Sequence, residues 1–442
     1  MHRFRVLHAA FIVGATVGSV SDALAQNPIV QRVANAPDGM VRLQFAGRSG
    51  ICGDGSDVIG YGKAIFAGSV SSFGDWTSSR CVPGPVRVSL SVAGGRVTQM
   101  QTFVGGSWAR STARATDLGI VSSADASTYF FGIVPQLEGR ANKARFLLPA
   151  VLADDTRTVP RLISLANDAS RAQATRRQAI QWMGLLGDAS VVPTLVAFAR
   201  QGGDAPRGDD IDHDDEAPGM KGLATAAISA LSFVRNGAGI PALIDLARNG
   251  GSAVRHSAVF WLGQSGDPRA LSTLHAVIEN SREDERVRAH AIFSLSHGSD
   301  LRATELVYLR NLWPRLTSDK LRDAVLMGMA QDGAQGSPWL LERARDASET
   351  IKTRKSALFW AGQREATPTK DLVAFYRAVP DASLREHAIF VLSQRDDDTA
   401  LNELMRIARE DSNKEMRAKA MFWLGQKDDP RVAKMISDRL TR

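Results

Sequence analysis

Three segments of the chain carry nearly the same eleven residues: VRHSAVFWLGQ at 254–264, TRKSALFWAGQ at 353–363 and MRAKAMFWLGQ at 416–426. The register of this motif starts at Arg255, Arg288, Arg322, Arg354, Arg385 and Arg417. Successive starts are 33, 34, 32, 31 and 32 residues apart, and earlier copies begin at Arg176 and, more weakly, at Ala224. A nearly constant period of this size indicates a solenoid, in which each copy packs on its neighbours.

A turn and a second amphipathic stretch separate successive copies. The turn at 266–270 reads Gly-Asp-Pro-Arg-Ala, and apolar residues follow at helical spacing: Leu271, Leu274, Val277 and Ile278. An Asp can cap a helix, and Pro fits its first turn, so each copy is predicted to be a helix–turn–helix unit.

The full pattern, Arg-x-x-Ala-x-x-x-Leu-Gly-x-x-Gly-Asp-Pro-Arg, resembles HEAT repeats of the short, bilin-lyase-like type. The resemblance covers residues 140–442 and implies an α-solenoid, which makes the expected fold class mainly α. It implies no single function, because HEAT arrays serve many unrelated purposes.

The columns of the repeat have different predicted roles when the starting Arg is numbered position zero. Ala at position three and Leu at position seven define one apolar face, which must be buried against the partner helix. Trp at position six and a small residue at position eight lie on opposite flanks of that face. We therefore expect Trp to pack over the small residue of a neighbouring repeat. The resemblance implies that the position-zero Arg joins an inter-repeat polar ladder, with Asp284 and Glu285 available near Arg288.

Positions five and nine point away from the apolar face. They hold the residues predicted to bind a partner: Phe260, Phe293, Phe359, Phe390, Phe422, Gln264, Gln331, Gln363, Gln394 and Gln426. In arrays that this one resembles, the helix carrying them lines the concave surface. Outward-facing aromatic residues in register are typical of an interaction surface. The alternative is that curvature presses the Phe rings against each other and hides them.

The first 25 residues have the features of a signal peptide. His2, Arg3 and Arg5 precede an apolar run at 6–20, and Ala23-Leu24-Ala25 fits a cleavage site. An uncleaved N-terminal anchor is the alternative. No later stretch is long and apolar enough to span a membrane. We therefore expect a periplasmic or secreted protein without a membrane span.

Residues 26–139 are predicted to form a β-rich domain with a short C-terminal helix. Apolar and polar residues alternate at 41–45, 86–92 and 97–103, which favours half-buried strands, and 93–96 reads as a hairpin turn. A helix is expected over 123–137, capped by Ser122 or Ser123. The two cysteines, Cys52 and Cys81, are expected to form a disulfide in an oxidising compartment, with free thiols as the alternative.

Motifs for catalysis and for metal or cofactor binding are missing from the sequence. His256, His290 and His387 fall near positions one and two of their helices, so we expect them to share a face, but no set of paired His-Glu motifs accompanies them. Nucleophile signatures and phosphate-binding glycine loops are also absent. The expectation is therefore no enzyme, no cofactor and no metal site.

The acidic segment at 204–221 interrupts the array. We predict that it is a solvated, mobile loop, and a weak divalent-cation site is the alternative.

The formal net charge of +7 is mild for 442 residues and does not cluster, so nucleic acid is not an expected partner. Together these features predict an exported, monomeric scaffold or adaptor that binds a protein through the concave face of a HEAT-like solenoid. A lyase-type enzyme or enzyme subunit is one alternative. The other is a regulatory partner of an envelope protease or signalling protein.

Overall fold

The structure, a computed structural model, describes residues 28–56, 58–61, 64–67, 70–73, 81–108, 115–138, 146–201, 222–296, 303–363 and 367–440. The predictions for residues 1–25 and for the acidic segment at 204–221 lie outside these ranges. The chain divides into two compact units, residues 1–187 and residues 188–442, and each is described by itself. Among the described helices, none has the length and apolar character needed to cross a membrane.

Two four-stranded sheets form the β part of the first unit. The strands are β1 (Gly39–Phe45), β2 (Ile51–Gly53), β3 (Ile59–Tyr61), β4 (Ala64–Ala67), β5 (Val70–Phe73), β6 (Val86–Ala93), β7 (Arg96–Val104) and β8 (Ala115–Ile120). One sheet has the order β7-β6-β1-β8 and the other β2-β3-β4-β5. The three alternating segments lie in β1, β6 and β7, which confirms the strand predictions.

The predicted hairpin joins β6 to β7, which pair antiparallel with Ala93 opposite Arg96. Gly94 and Gly95 form the turn with φ of 55° and 70°. Two successive positive φ angles are the geometry of a type I′ turn, which matches the twist of the two strands and requires residues such as Gly.

The disulfide between Cys52 and Cys81 is present, which confirms the predicted pairing. Cys52 lies in β2. Gly53 and Val82, the residues that follow the two cysteines, form a backbone pair. The amide of Gly53 donates to the carbonyl of Val82 at 3.1 Å, and the amide of Val82 donates to Gly53 at 2.9 Å. The disulfide closes a loop of 29 residues and should stabilise the folded unit by about 3 kcal/mol, because it restricts the unfolded chain.

Short helices complete the first unit: α1 (Pro28–Ala34), α2 (Ser123–Gly132), α3 (Val134–Leu137), α4 (Leu148–Leu152), α5 (Thr158–Asn167) and α6 (Gln173–Leu186). The helix predicted over 123–137 is thus two helices, which divide at Ile133. Ser122 is the cap, because its hydroxyl accepts from the amide of Asp125 at 3.0 Å. The pair α5 and α6 contains the copy of the motif that begins at Arg176.

The second unit is a stack of helix pairs. Its helices are α7 (Val192–Ala199), α8 (Leu223–Phe233), α9 (Ile240–Asn249), α10 (Ser252–Gln264), α11 (Pro268–Glu279), α12 (Glu285–Ser296), α13 (Ala303–Leu312), α14 (Asp319–Met329), α15 (Gly333–Arg345), α16 (Ile351–Gly362), α17 (Thr369–Ala378), α18 (Ala382–Ser393), α19 (Asp398–Glu410), α20 (Lys414–Leu424) and α21 (Pro430–Leu440). This helical stack confirms the predicted solenoid.

The two helices of each pair belong to two different rows. The even-numbered helices from α8 to α20 carry the motif, and each packs extensively on the next; we call them the inner row. The odd-numbered helices from α9 to α21 contact their successors much less, and we call them the outer row. The close packing of the inner row fixes the register between side chains of successive repeats.

The apolar columns hold the two rows together. Every position-three Ala and position-seven Leu in the motif is at most 3% exposed: Ala258, Ala291, Ala357, Ala388, Ala420, Leu262, Leu295, Leu392 and Leu424. The start of the outer helix α11 has the predicted Asp cap and Pro. Asp267 caps α11 by accepting from the amide of Arg269 at 2.9 Å, and Pro268 occupies the first turn.

The position-zero arginines form the predicted polar ladder. The guanidinium of Arg288 donates to the carbonyl of Ile278 at 2.9 Å, near the end of the preceding outer helix, where carbonyls lack helical partners. The acids of the ladder, however, are not Asp284 and Glu285. They are Glu283, Glu349 and Asp411, which pair with Arg255, Arg322 and Arg385. Each of these acids lies in the connection that leads into the next inner helix.

Candidate functional site

The Phe column follows one side of the inner row and is partly open to solvent. Phe260, Phe293, Phe359 and Phe390 are half-buried, whereas Phe422 in α20 is 59% exposed. Phe is among the residue types most often buried, so the exposure of Phe422 distinguishes it from the half-buried members of the column.

Ring contacts link several members of the column to the next repeat. Phe359 and Phe390 stack with centroids 6.5 Å apart and planes 3° from parallel. Phe390 in turn contacts the ring of Trp423 at 5.3 Å. In the earlier repeats, Phe260 lies 5.5 Å from the ring of His290. The two alternatives for this column therefore each hold in part: the rings touch one another along the stack and still present a face to solvent.

The Gln column lies one helical turn further along, beside the turns. Gln264, Gln363, Gln394 and Gln426 are exposed, and Gln331 is half-buried. Gln394 borders two cavities of about 480 and 430 Å³, together with the turn residues Arg395 and Asp397. An amide can donate and accept hydrogen bonds without the desolvation cost of a charge.

A separate cavity of about 540 Å³ opens on the Phe side of α16, α18 and α20. Phe390, Phe422 and Trp423 form its apolar wall. Trp423 also borders the 480 Å³ cavity on the Gln side. The Phe and Gln columns therefore border different cavities, and Trp423 lies between them.

Titratable residues from positions one and two surround the 540 Å³ cavity: Lys355, Glu386, His387 and Lys419. The ammonium of Lys419 lies 2.7 Å from the carboxylate of Glu386. Burial, followed by the nearby charge of Lys355, lowers the pKa of His387. The imidazole of His387 is therefore neutral at pH 7.

A pair of histidines lies on the same face of α10 and α12. The rings of His256 and His290 are 4.0 Å apart. Burial, followed by the charge of Arg286, lowers the pKa of His256, so this ring is also neutral at pH 7. Within the described residues, no three His, Cys, Asp or Glu side chains are placed to hold a metal ion together.

The Trp and small-residue columns meet only in part as predicted. Position eight of one repeat does face position six of the next, since Gly263 packs on Ser294 and Gly362 on Val391. In both contacts, however, the position-six residue is not Trp. Where Trp occupies this position, the ring contacts are aromatic: Trp261 meets Phe233 at 5.5 Å and Trp423 meets Phe390.

The rim of the 540 Å³ cavity was not predicted from the sequence. Position one is Lys355, Glu386 or Ala418 in the three repeats concerned, so no single residue type marks the column. The signal that could have found it is the side-by-side placement of Glu386 and Lys419 on the face that also carries the Phe column.

Models of HEAT repeats match residues 222–296 and 240–330. The chain contains HEAT repeats. The matched HEAT repeats run from α8 to α14 and include Phe260 and Phe293. The same motif continues through α20, where Phe422 and the 540 Å³ cavity lie. The sequence matches none of the curated proteins.

Several solved structures are similar to the chain at low identity. Human deoxyhypusine hydroxylase in complex with glycerol is 17% identical with a TM-score of 0.26, and the match covers 57% of this chain and 89% of that one. The CpcE–CpcF complex of phycocyanin lyase from Nostoc is 16% identical with a TM-score of 0.29, covering 56% and 92%. The Pds5–Scc1 complex is 11% identical with a TM-score of 0.32, covering 68% and 52%. Similarities this weak assign no activity to this chain.

Proposed function

We propose that this HEAT-repeat protein is an exported, monomeric, non-enzymatic scaffold or adaptor that binds a protein partner along the Phe column of its inner row. The observation that carries the proposal is the exposure of Phe422, which ends a column of half-buried Phe residues at the same helical position. Apolar side chains in register on one face supply the contact area that protein interfaces use at their centre.

The surroundings of the column support a protein ligand. The rings of Phe359, Phe390 and Trp423 contact one another in sequence, so they offer a continuous apolar strip across three repeats. Gln394 and Gln426 line the 480 Å³ cavity together with Trp423, at the end of this strip, and can bond the backbone of an extended or helical segment. Their hydrogen bonds would fix the register of a partner that the apolar strip holds.

The proposed export rests on the sequence of residues 1–25. The Cys52–Cys81 disulfide supports it, because structural disulfides persist mainly in oxidising compartments such as the periplasm. Mass analysis of the protein purified from an envelope fraction tests this part. Cleavage after Ala25 would give Gln26 as the first residue, whereas a chain that still begins at Met1 would contradict it.

An enzymatic role requires titratable groups that converge in a cavity, and the 540 Å³ cavity does bring four together. Two of these are already paired, since Lys419 contacts Glu386. No Ser, Thr or Cys belongs to the residues that line this cavity, so it offers no hydroxyl or thiol nucleophile. We therefore favour binding over catalysis at this site.

Affinity capture from an envelope extract, read out by mass spectrometry, tests the proposed function. We expect the wild-type protein to retain a partner that Phe422→Ser fails to retain. The matched control is Val307→Ser in the outer helix α13, because Val307 is 52% exposed and replacing it removes a comparable exposed apolar group. Equal capture by both variants would contradict a binding role for the Phe column.

A further inference from the structure

The 540 Å³ cavity between α16, α18 and α20 has the size of a ligand site, since such sites enclose about 300–1,000 Å³. Its wall is aromatic and continuous. The rings of Phe390 and Trp423 lie 5.3 Å apart, and those of Phe422 and Trp423 lie 5.1 Å apart. Two ligand classes suit an aromatic wall of this kind: a cation held by the ring faces, or an apolar side chain.

The charge at the rim decides between these two classes. Lys419 and Glu386 neutralise each other at 2.7 Å, and His387 is neutral. Lys355 has no carboxylate within ion-pair distance among the described residues. Two ammonium groups and one carboxylate leave the lining with one net positive charge. A cation would be repelled here, whereas a carboxylate would be attracted to Lys355.

The ring of His387 lines the cavity without adding a charge. One ring nitrogen donates to the backbone of Lys355, and Nε2 is buried without a hydrogen-bond partner. The neutral ring then carries its proton on Nδ1, which leaves Nε2 as an acceptor. Because this nitrogen is buried, the ring presents no open acceptor to the cavity.

We propose that the cavity binds an acidic peptide segment of the partner, with an apolar side chain against Phe390 and Phe422 and a neighbouring carboxylate paired with Lys355. This inference rests on the proposed function, because it names the chemistry of the partner at one point of the Phe column. The ammonium of Lys355 supplies charge complementarity, and the aromatic wall supplies contact area.

Saturation-transfer NMR with three short peptides tests the inference on the full chain. The probes are acetyl-Gly-Phe-Glu-Gly-amide and the same peptide with Gln or Lys in place of Glu. We expect the Glu peptide to bind about two- to five-fold more tightly than the Gln peptide, which is the strength of an exposed ion pair, and the Lys peptide to bind least. Phe422→Ser should weaken all three.

Charge reversal locates the interaction. Lys355→Glu should invert the order of the peptides, so that the Lys peptide binds best. Lys370→Glu is the matched control, because Lys370 is an exposed lysine of the same repeat on the outer helix α17. It should leave the order unchanged, and thermal melts should show that both variants remain folded.

Three results would overturn the inference: no peptide binding, equal binding of the three peptides, or the same effect from both charge reversals. Any of these, combined with loss of partner capture in Phe422→Ser, would leave the proposed function standing and remove only the acidic-peptide inference. If Phe422→Ser retains both partner capture and peptide binding, the proposed function and the acidic-peptide inference are both wrong.

Discussion

Gly362 in α16 lies directly against Val391 in the next inner helix, so that a β-carbon at 362 would be 2.2 Å from Cγ1 of Val391. Real non-bonded carbon atoms do not approach this closely, and Val is stiff about χ1, so the valine cannot turn away cheaply. Gly362 therefore sets the spacing of two repeats by leaving out a side chain.

We predict that Gly362→Ala destabilises the protein by about 1–3 kcal/mol, the usual cost of forcing extra carbon into a packed core. Chemical denaturation followed by circular dichroism measures it. The control is Gly425→Ala, at the same position of the last motif, where a β-carbon would meet only ordinary contacts of 3.4 Å or more. Gly425 has helical φ, so Ala should be neutral or slightly stabilising there. Equal effects at 362 and 425 would contradict the spacing role.

Tyr376 and Arg385 hold the buried carboxylate of Asp411. The hydroxyl of Tyr376 donates to Asp411 at 2.7 Å. Burial raises the pKa of Asp411, but this hydrogen bond, the amide of Asn413 and the charge of Arg385 together outweigh it and lower the pKa. Because the folded pKa lies below the unfolded value, the carboxylate stabilises the fold at neutral pH, and this contribution is lost as the pH falls below about 4.

We predict that Tyr376→Phe costs about 1–3 kcal/mol at pH 7, because a buried carboxylate loses a hydrogen-bond donor. The difference from the wild-type protein should shrink at pH 3, because the hydroxyl of Tyr376 no longer donates to a charged group once Asp411 is protonated. Tyr308→Phe is the control, since Tyr308 donates to Glu279, whose side chain is 43% exposed and can bond to water instead. Urea denaturation at both pH values provides the comparison. An effect of Tyr376→Phe that does not change with pH would contradict this assignment.

The different exposure of Phe390 and Phe422 predicts different effects of their replacement on stability. Phe390 contacts both Phe359 and Trp423, whereas the ring of Phe422 contacts that of its chain neighbour Trp423. Phe390→Ala should therefore cost about 1–2 kcal/mol more than Phe422→Ala, through lost aromatic pairs and lost burial. Thermal or urea denaturation of the two variants measures this difference in the free energy of unfolding. Equal losses would mean that Phe422 is packed as tightly as Phe390.

The disulfide gives a prediction for the first unit alone. Replacing Cys52 and Cys81 by Ala should reduce its stability by about 3 kcal/mol. Proteolysis of the variant should then cut the β sheets earlier than in the wild-type protein, while the helices of residues 188–442 remain as resistant as before. Uniform sensitivity of both units would show that the disulfide does not act locally.

The helical stack was predictable because its causes are local and repeated. Ala and Leu at fixed positions specify which face of each inner helix is buried, and Asp267-Pro268 specifies where an outer helix begins. The hairpin was equally predictable, because apolar and polar residues alternate in β6 and β7 and two glycines lie between these strands. Each of these patterns specifies a single helix or hairpin, so the element can be predicted from the sequence without knowing which other elements pack against it.

The cavity and the ladder were harder to predict because they depend on which residues of successive repeats meet. Lys355, His387 and Lys419 come from three different helices, and their positions differ in residue type from one repeat to the next. Glu283 rather than Asp284 joins the ladder because the geometry of the connection decides which carboxylate turns inward. Side-chain pairing of this kind follows from the packing angle between helices, which the repeat pattern does not specify.

Site-specific photo-crosslinking tests the central claim, that the Phe column faces the partner, most directly. Benzoylphenylalanine in place of Phe422 keeps an aromatic group at the exposed end of the column, and the same residue in place of Val307 probes an equally open position on the outer row. We predict a crosslinked partner from position 422 and none from position 307 after irradiation in envelope extract. Crosslinking from 307 alone, or from both positions alike, would contradict the account.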